Sequence, residues 1–227
     1  MTLSLACAGE ATRRLLMKVA TEFVGTFIFL FAISLAAIGG SPLAPLAIGG
    51  ALMCMVYMGG HVSGGHYNPA VSFGALLAKK ISIGNFIAYV IAQIVAGVAA
   101  FWLGWFVMGK TVAIQPGAEY TPIKALIVEV IFTMALVLVV LNTACSKKTE
   151  GKGFYGLAIG FTIVVAAITA GPISGGAFNP AVGIGATAID VMKGGGSWEN
   201  VYIPILGPLI GAGIASFFFQ AQENSSA

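Results

Sequence analysis

A short segment occurs twice in this chain, and the repeat restricts the fold more than any other feature. Residues 63–75 read SGGHYNPAVSFGA and residues 174–186 read SGGAFNPAVGIGA. Each copy carries Asn-Pro-Ala and runs into an apolar stretch that meets a lysine, Lys79 or Lys193, well before the roughly 20 residues that a bilayer crossing needs. These stretches read as half-helices. Longer apolar runs predict full spans near residues 17–38, 43–60, 83–108, 122–143, 154–172 and 200–220. Glu22 in the first span is echoed by Glu129 in the fourth. Each half, about 15–110 and 120–220, is therefore a unit of three spans and one broken segment.

An odd number of spans per unit obliges the second unit to enter the membrane from the opposite face. The two short segments then dip in from opposite sides, and their turns meet near the midplane. Irregular backbone is tolerated at that depth where it is buried in protein or lines a water-filled cavity. The sequence thus predicts an all-α membrane protein with six transmembrane helices and two re-entrant half-helices in an inverted repeat, forming one channel domain over 1–227. Composition agrees, since 58% of the 227 residues are hydrophobic and 8% are charged, against about a quarter charged in soluble domains.

Basic residues divide unevenly between the two faces. Arg13, Arg14, Lys18, Lys79, Lys80, Lys147, Lys148 and Lys152 fall on one side, and Lys110, Lys124 and Lys193 on the other. The richer face is expected to be cytoplasmic, with both termini on it, in the cell (inner) membrane. The paired lysines read as helix-end anchors rather than a nucleic-acid patch. Because basic residues follow the first apolar patch instead of preceding it, no cleaved leader is expected. Cys7, Cys54 and Cys145 have neither disulfide nor metal spacing, and read as small apolar fillers. No cofactor or metal is expected, and the lone carboxylates Glu22 and Glu129 on separate spans give no basis for catalysis.

Asn68 and Asn179 each stand before a proline at the start of an apolar segment, the pattern of an N-cap followed by Pro at the first helical position. Pro69-Ala70 and Pro180-Ala181 complete the two turns. Each half-helix brings about half a positive charge to its N-terminus, so two facing ends repel cations. The asparagine amides can donate hydrogen bonds to a passing water or hydroxyl and orient it against a proton wire. Most of the remaining glycines among the 31 in the chain read as close-packing positions between helices.

The paired Asn-Pro-Ala repeats, Glu22 and Glu129, and Gly207-Pro208 in the last span resemble the aquaporin or major intrinsic protein family over nearly the whole chain. The resemblance implies a homotetramer with one pore per subunit. It implies that Glu22 and Glu129 are buried carboxylates bonded to loop backbone, and that His66, with His61, braces a loop or vestibule. It also implies an outer selectivity filter of four positions, which fall here on Ile48, Ala167, Gly176 and Val182. Family members usually carry Arg where this chain has Val182, so the filter is expected to be wide and apolar. Pro204-Ile205 points toward glycerol-conducting members, whereas Gly183 replaces their usual Asp. The expected function is a passive channel for water and small neutral solutes, also admitting glycerol, urea or ammonia. A strictly water-selective channel and a secondary transporter are the alternatives.

Overall fold

The structure is a computed structural model that describes the backbone of residues 2–225 and side chains from residue 9 onward, so Cys7 lies outside the described side chains. The helices are α1 (Thr2–Gly39), α2 (Ala44–Ser63), α3 (Pro69–Leu77), α4 (Ile83–Met108), α5 (Pro122–Val140), α6 (Tyr155–Thr169), α7 (Gly171–Ser174), α8 (Pro180–Met192) and α9 (Ile203–Asn224). A π-turn, Leu141–Cys145, extends α5. Five helices are long and apolar enough to cross a bilayer by themselves. The sixth crossing is α6, which is shorter because Pro172 has no N–H to continue the ladder. The chain bends at Ala170 and resumes as α7, with Ser174 N bonded to Ala170 O at 3.1 Å. At the other end, α1 begins well before its apolar run. No breaker interrupts residues 9–16, and Glu10 pairs with Arg14 one turn on at 2.5 Å, the favourable orientation for an i, i+4 pair.

Packing repeats the sequence symmetry. Helix α1 packs on α2 and α4, as α5 packs on α6 and α9, while α2 and α6 pack on each other. The half-helices cross over: α3 lies against α9 of the second half, and α8 against α4 of the first. Neither half could bury its own broken segment alone. The α2–α6 crossing rests on two glycines, because a Cβ on Gly49 would stand 2.5 Å from Gly160 O and a Cβ on Gly160 would stand 2.5 Å from Gly49 O. In lipid, where apolar burial does not drive association, such backbone proximity is a principal source of helix contact.

Gly160→Val should accordingly force α2 and α6 apart and destabilise the protein by about 1–3 kcal/mol, the usual range for overpacking. Gly213→Ala, where nothing lies within 4 Å of the added carbon, should stay within about 0.5 kcal/mol of wild type. Thermal unfolding of the detergent-solubilised proteins measures both.

Candidate functional site

The two loops that precede the half-helices are built alike. Helix α2 ends at Gly64, whose φ is +99°, and α7 ends at Gly175, whose φ is +89°. Such left-handed caps turn the chain without a Cβ penalty. Two residues before each half-helix, Tyr67 (φ +50°) and Phe178 (φ +47°) hold the same left-handed conformation despite their large side chains. That conformation costs on the order of 1–3 kcal/mol and persists where its surroundings over-determine it.

The over-determination comes from one carboxylate per half. Glu22 Oε1 accepts from Ser63 Oγ at 2.7 Å and from His66 N at 2.9 Å, while Oε2 accepts from Tyr67 N at 2.8 Å. Glu129 Oε1 accepts from Ser174 Oγ at 2.7 Å and from Ala177 N at 3.0 Å, and its Oε2 accepts from Phe178 N at 2.7 Å. Both carboxylates are fully buried. Without them the loop N–H groups would be unpaired at membrane depth, which costs several kcal/mol per group.

The first half has additional bracing. Gln93 Nε2 donates to Glu22 Oε2 at 2.9 Å and to Ser72 Oγ at 3.0 Å, and His66 Nδ1 lies 3.0 Å from Ser72 Oγ. Tyr89 packs edge-on against His66 and donates its hydroxyl to Ser63 O at 2.8 Å.

This scaffold aims the asparagines. Asn68 Oδ1 accepts from Ala70 N at 2.8 Å and Asn179 Oδ1 from Ala181 N at 2.9 Å, so each caps its own half-helix. Each amide also crosses to the other loop: Asn68 Nδ2 donates to Phe178 O at 2.9 Å and Asn179 Nδ2 to Tyr67 O at 3.0 Å. An amide nitrogen has two protons. One is held by the opposite loop, and the other remains for a molecule beside it.

Both asparagines line one narrow cavity. It leaves about 40 Å³ for water-sized molecules, room for about three where 10–15 Å³ holds one. Ile48, Ala167 and Gly176 line it as well. Val182 does not: it sits in the first turn of α8, 1% exposed, within the hydrophobic core. His66 and Val140 border both this cavity and a wider vestibule on the face of the chain ends, where His61 also lies.

Apart from Ile48, the rest of the cavity wall was not singled out from the sequence. Four i, i+4 pairs form it: Phe29 and Ile33 on α1, Ile48 and Leu52 on α2, Leu136 and Val140 on α5, and Ile159 and Ile163 on α6. The repeat itself held the signal, because Leu136 and Val140 follow Glu129 at the same spacings as Phe29 and Ile33 follow Glu22. Among the described residues no three His, Cys, Asp or Glu side chains gather as a metal site.

A family model described as major intrinsic protein matches residues 10–219. A probable aquaporin of TIP type from Medicago truncatula is 34% identical over 216 residues, covering 88% of this chain and 84% of the relative. Aquaporin-4 of Mus musculus is 31% identical over 234 residues, covering 96% of this chain and 71% of the relative. The X-ray structure of the aquaglyceroporin from Plasmodium falciparum superimposes with a TM-score of 0.79 at 22% identity, over 90% of this chain and 95% of that one. That last likeness is one of fold.

Replacing Glu129 by Gln tests the bracing. The new amide NH₂ must face a loop N–H, leaving a buried donor unpaired at a cost of about 1–3 kcal/mol. Glu129→Gln should therefore melt at a lower temperature than wild type, and reconstituted vesicles should lose most of their protein-dependent water permeability in stopped-flow light scattering.

Proposed function

Because the chain belongs to the major intrinsic protein family of membrane channels, we propose that it conducts water and small neutral solutes passively through the cavity between its two Asn-Pro-Ala turns. The chain is an integral, multi-pass membrane channel and not an enzyme. The observation that carries the proposal is the reciprocal asparagine pair, Asn68 on Phe178 O and Asn179 on Tyr67 O. It fixes two amide donors at the meeting point of two half-helix N-termini, on a wall whose other side chains are apolar except His66. A water that leaves bulk hydration recovers hydrogen bonds there, while a cation meets two partial positive charges.

The filter positions bear on which solutes pass. Ile48, Ala167 and Gly176 offer the cavity no side-chain hydrogen-bond donor, and Val182, packed in the core outside its lining, brings none of the charge, bulk or five N–H donors of an arginine. A filter of this kind favours passage of glycerol, urea or ammonia beside water. The narrowness of the cavity favours the second reading, a water-selective channel. We further propose a homotetramer in the cell membrane. Both chain ends would then be cytoplasmic, on the face that carries Lys80, Lys147 and Lys148.

Stopped-flow measurements on proteoliposomes under sucrose, glycerol and urea gradients discriminate the two solute readings. An apolar, permissive filter predicts protein-dependent influx of glycerol or urea in addition to water, and Val182→Arg should cut that influx several-fold more than the water flux. Fast water flux with no influx of glycerol, urea or ammonia would assign the water-selective reading instead.

A further inference from the structure

On the membrane face opposite the chain ends, the outer end of α8 carries a buried carboxylate with an open side. Asp190, in the last turn of the helix, is 6% exposed. Its Oδ1 accepts from Thr111 Oγ1 at 2.5 Å, and among the described residues no Lys, Arg or His forms an ion pair with it. Lys193, three residues on, lies instead over the Trp105 ring, 3.3 Å from its centroid.

Asp190 borders a small polar cavity of about 20 Å³, together with Thr187, Gln115, Ser197, Asn200 and Gly196. The volume suits one particle the size of a water molecule. Thr187 is also 6% exposed, and its hydroxyl has no hydrogen-bond partner among the described residues. A Cβ on Gly196 would stand 2.4 Å from Asp190 Oδ2, so a residue with a side chain there would crowd the carboxylate.

We propose that this cavity is a Ca²⁺ site. Side-chain oxygens are available from Asp190, Thr187, Gln115, Ser197 and Asn200, and Ca²⁺ takes six to eight oxygens in flexible geometry. A carboxylate at a helix C-terminus combines a full negative charge with the partial negative end of the helix dipole. A divalent cation answers both. Mg²⁺ fits poorly, because it keeps several of its waters and demands octahedral geometry, and a cavity of this size has no room for them. Bound there, the ion ties the segment around Gln115 to the segment around Ser197 and anchors the outer end of the half-helix that begins at Asn179. With one carboxylate among the ligands, the affinity belongs to the weak range, a Kd on the order of 10⁻⁴–10⁻³ M.

The test is titration of the purified full-length protein in detergent with ⁴⁵Ca²⁺, alongside thermal unfolding in 10 mM CaCl₂, MgCl₂ or NaCl at matched ionic strength. Wild type should bind one Ca²⁺ per chain saturably, and 10 mM Ca²⁺ should raise its Tm by about 3–10 °C, with Mg²⁺ and Na⁺ doing less. Asp190→Asn keeps the shape and can still bond Thr111, yet it should weaken Ca²⁺ binding more than tenfold and abolish the Tm response. Thr187→Val should weaken binding several-fold. Absence of saturable binding by folded wild type up to 10 mM means an ordered water only and overturns the proposal. So does Asp190→Asn binding Ca²⁺ as well as wild type, or an equal response to Na⁺.

Discussion

Everything in the pore depends on two buried carboxylates holding backbone that would otherwise not stay folded in a membrane. The loops before α3 and α8 contain consecutive peptide groups without helix or sheet partners and an aromatic residue in the left-handed region. In water such loops would be solvated. At the midplane they need acceptors from the protein, and Glu22 and Glu129 each supply both carboxylate oxygens to that task. With the loops set, the carbonyls of Tyr67 and Phe178 point where the opposite asparagine can reach them. Buried carboxyl groups, strained backbone and central donors form one connected arrangement, in which each member is tolerable because the others are present.

The two halves are alike where the backbone must be held and different beside the pore. Ser63 and Ser174, Gly64 and Gly175, Tyr67 and Phe178, and the two asparagines correspond in sequence and in geometry. By contrast the first half sets His66, Ser72 and Gln93 around its carboxylate, whereas the repeat places Ala177 and Gly183 at the positions of His66 and Ser72 in the second. A Cβ on Gly183 would stand 2.5 Å from Pro204, so α8 approaches the last helix more closely than a serine would allow. The polar network therefore belongs to the end of the pore beside the vestibule bordered by His61 and His66.

Much of this was legible in the sequence because the repeat carries its own geometry. Duplicated Asn-Pro-Ala turns on segments too short to span gave the half-helices, and the odd number of spans per unit gave the inversion. The Glu22 and Glu129 echo located the buried carboxylates. What the sequence did not disclose depends on distances between helices. The roles of Gln93 and Tyr89 arise from α4 packing on α1 and the first loop, which no local pattern encodes. The apolar wall was hidden because Phe29, Leu136 and their partners are hydrophobic residues in hydrophobic helices, where periodicity does not separate a pore face from a lipid face. Val182 lies in the core outside the cavity lining, since residue spacing gives its place in the chain and not its reach toward the axis.

The central claim is that the asparagine pair, held by the two carboxylates, supplies the hydrogen bonds that let water through. It is tested most directly by the osmotic water permeability of vesicles reconstituted with Asn179→Leu, after size-exclusion chromatography has established that the variant is folded. Leucine cannot cap α8, cannot reach Tyr67 O and cannot offer the spare amide proton. The account predicts a permeability reduced to that of protein-free vesicles. A folded Asn179→Leu protein that conducts water at the wild-type rate would contradict it.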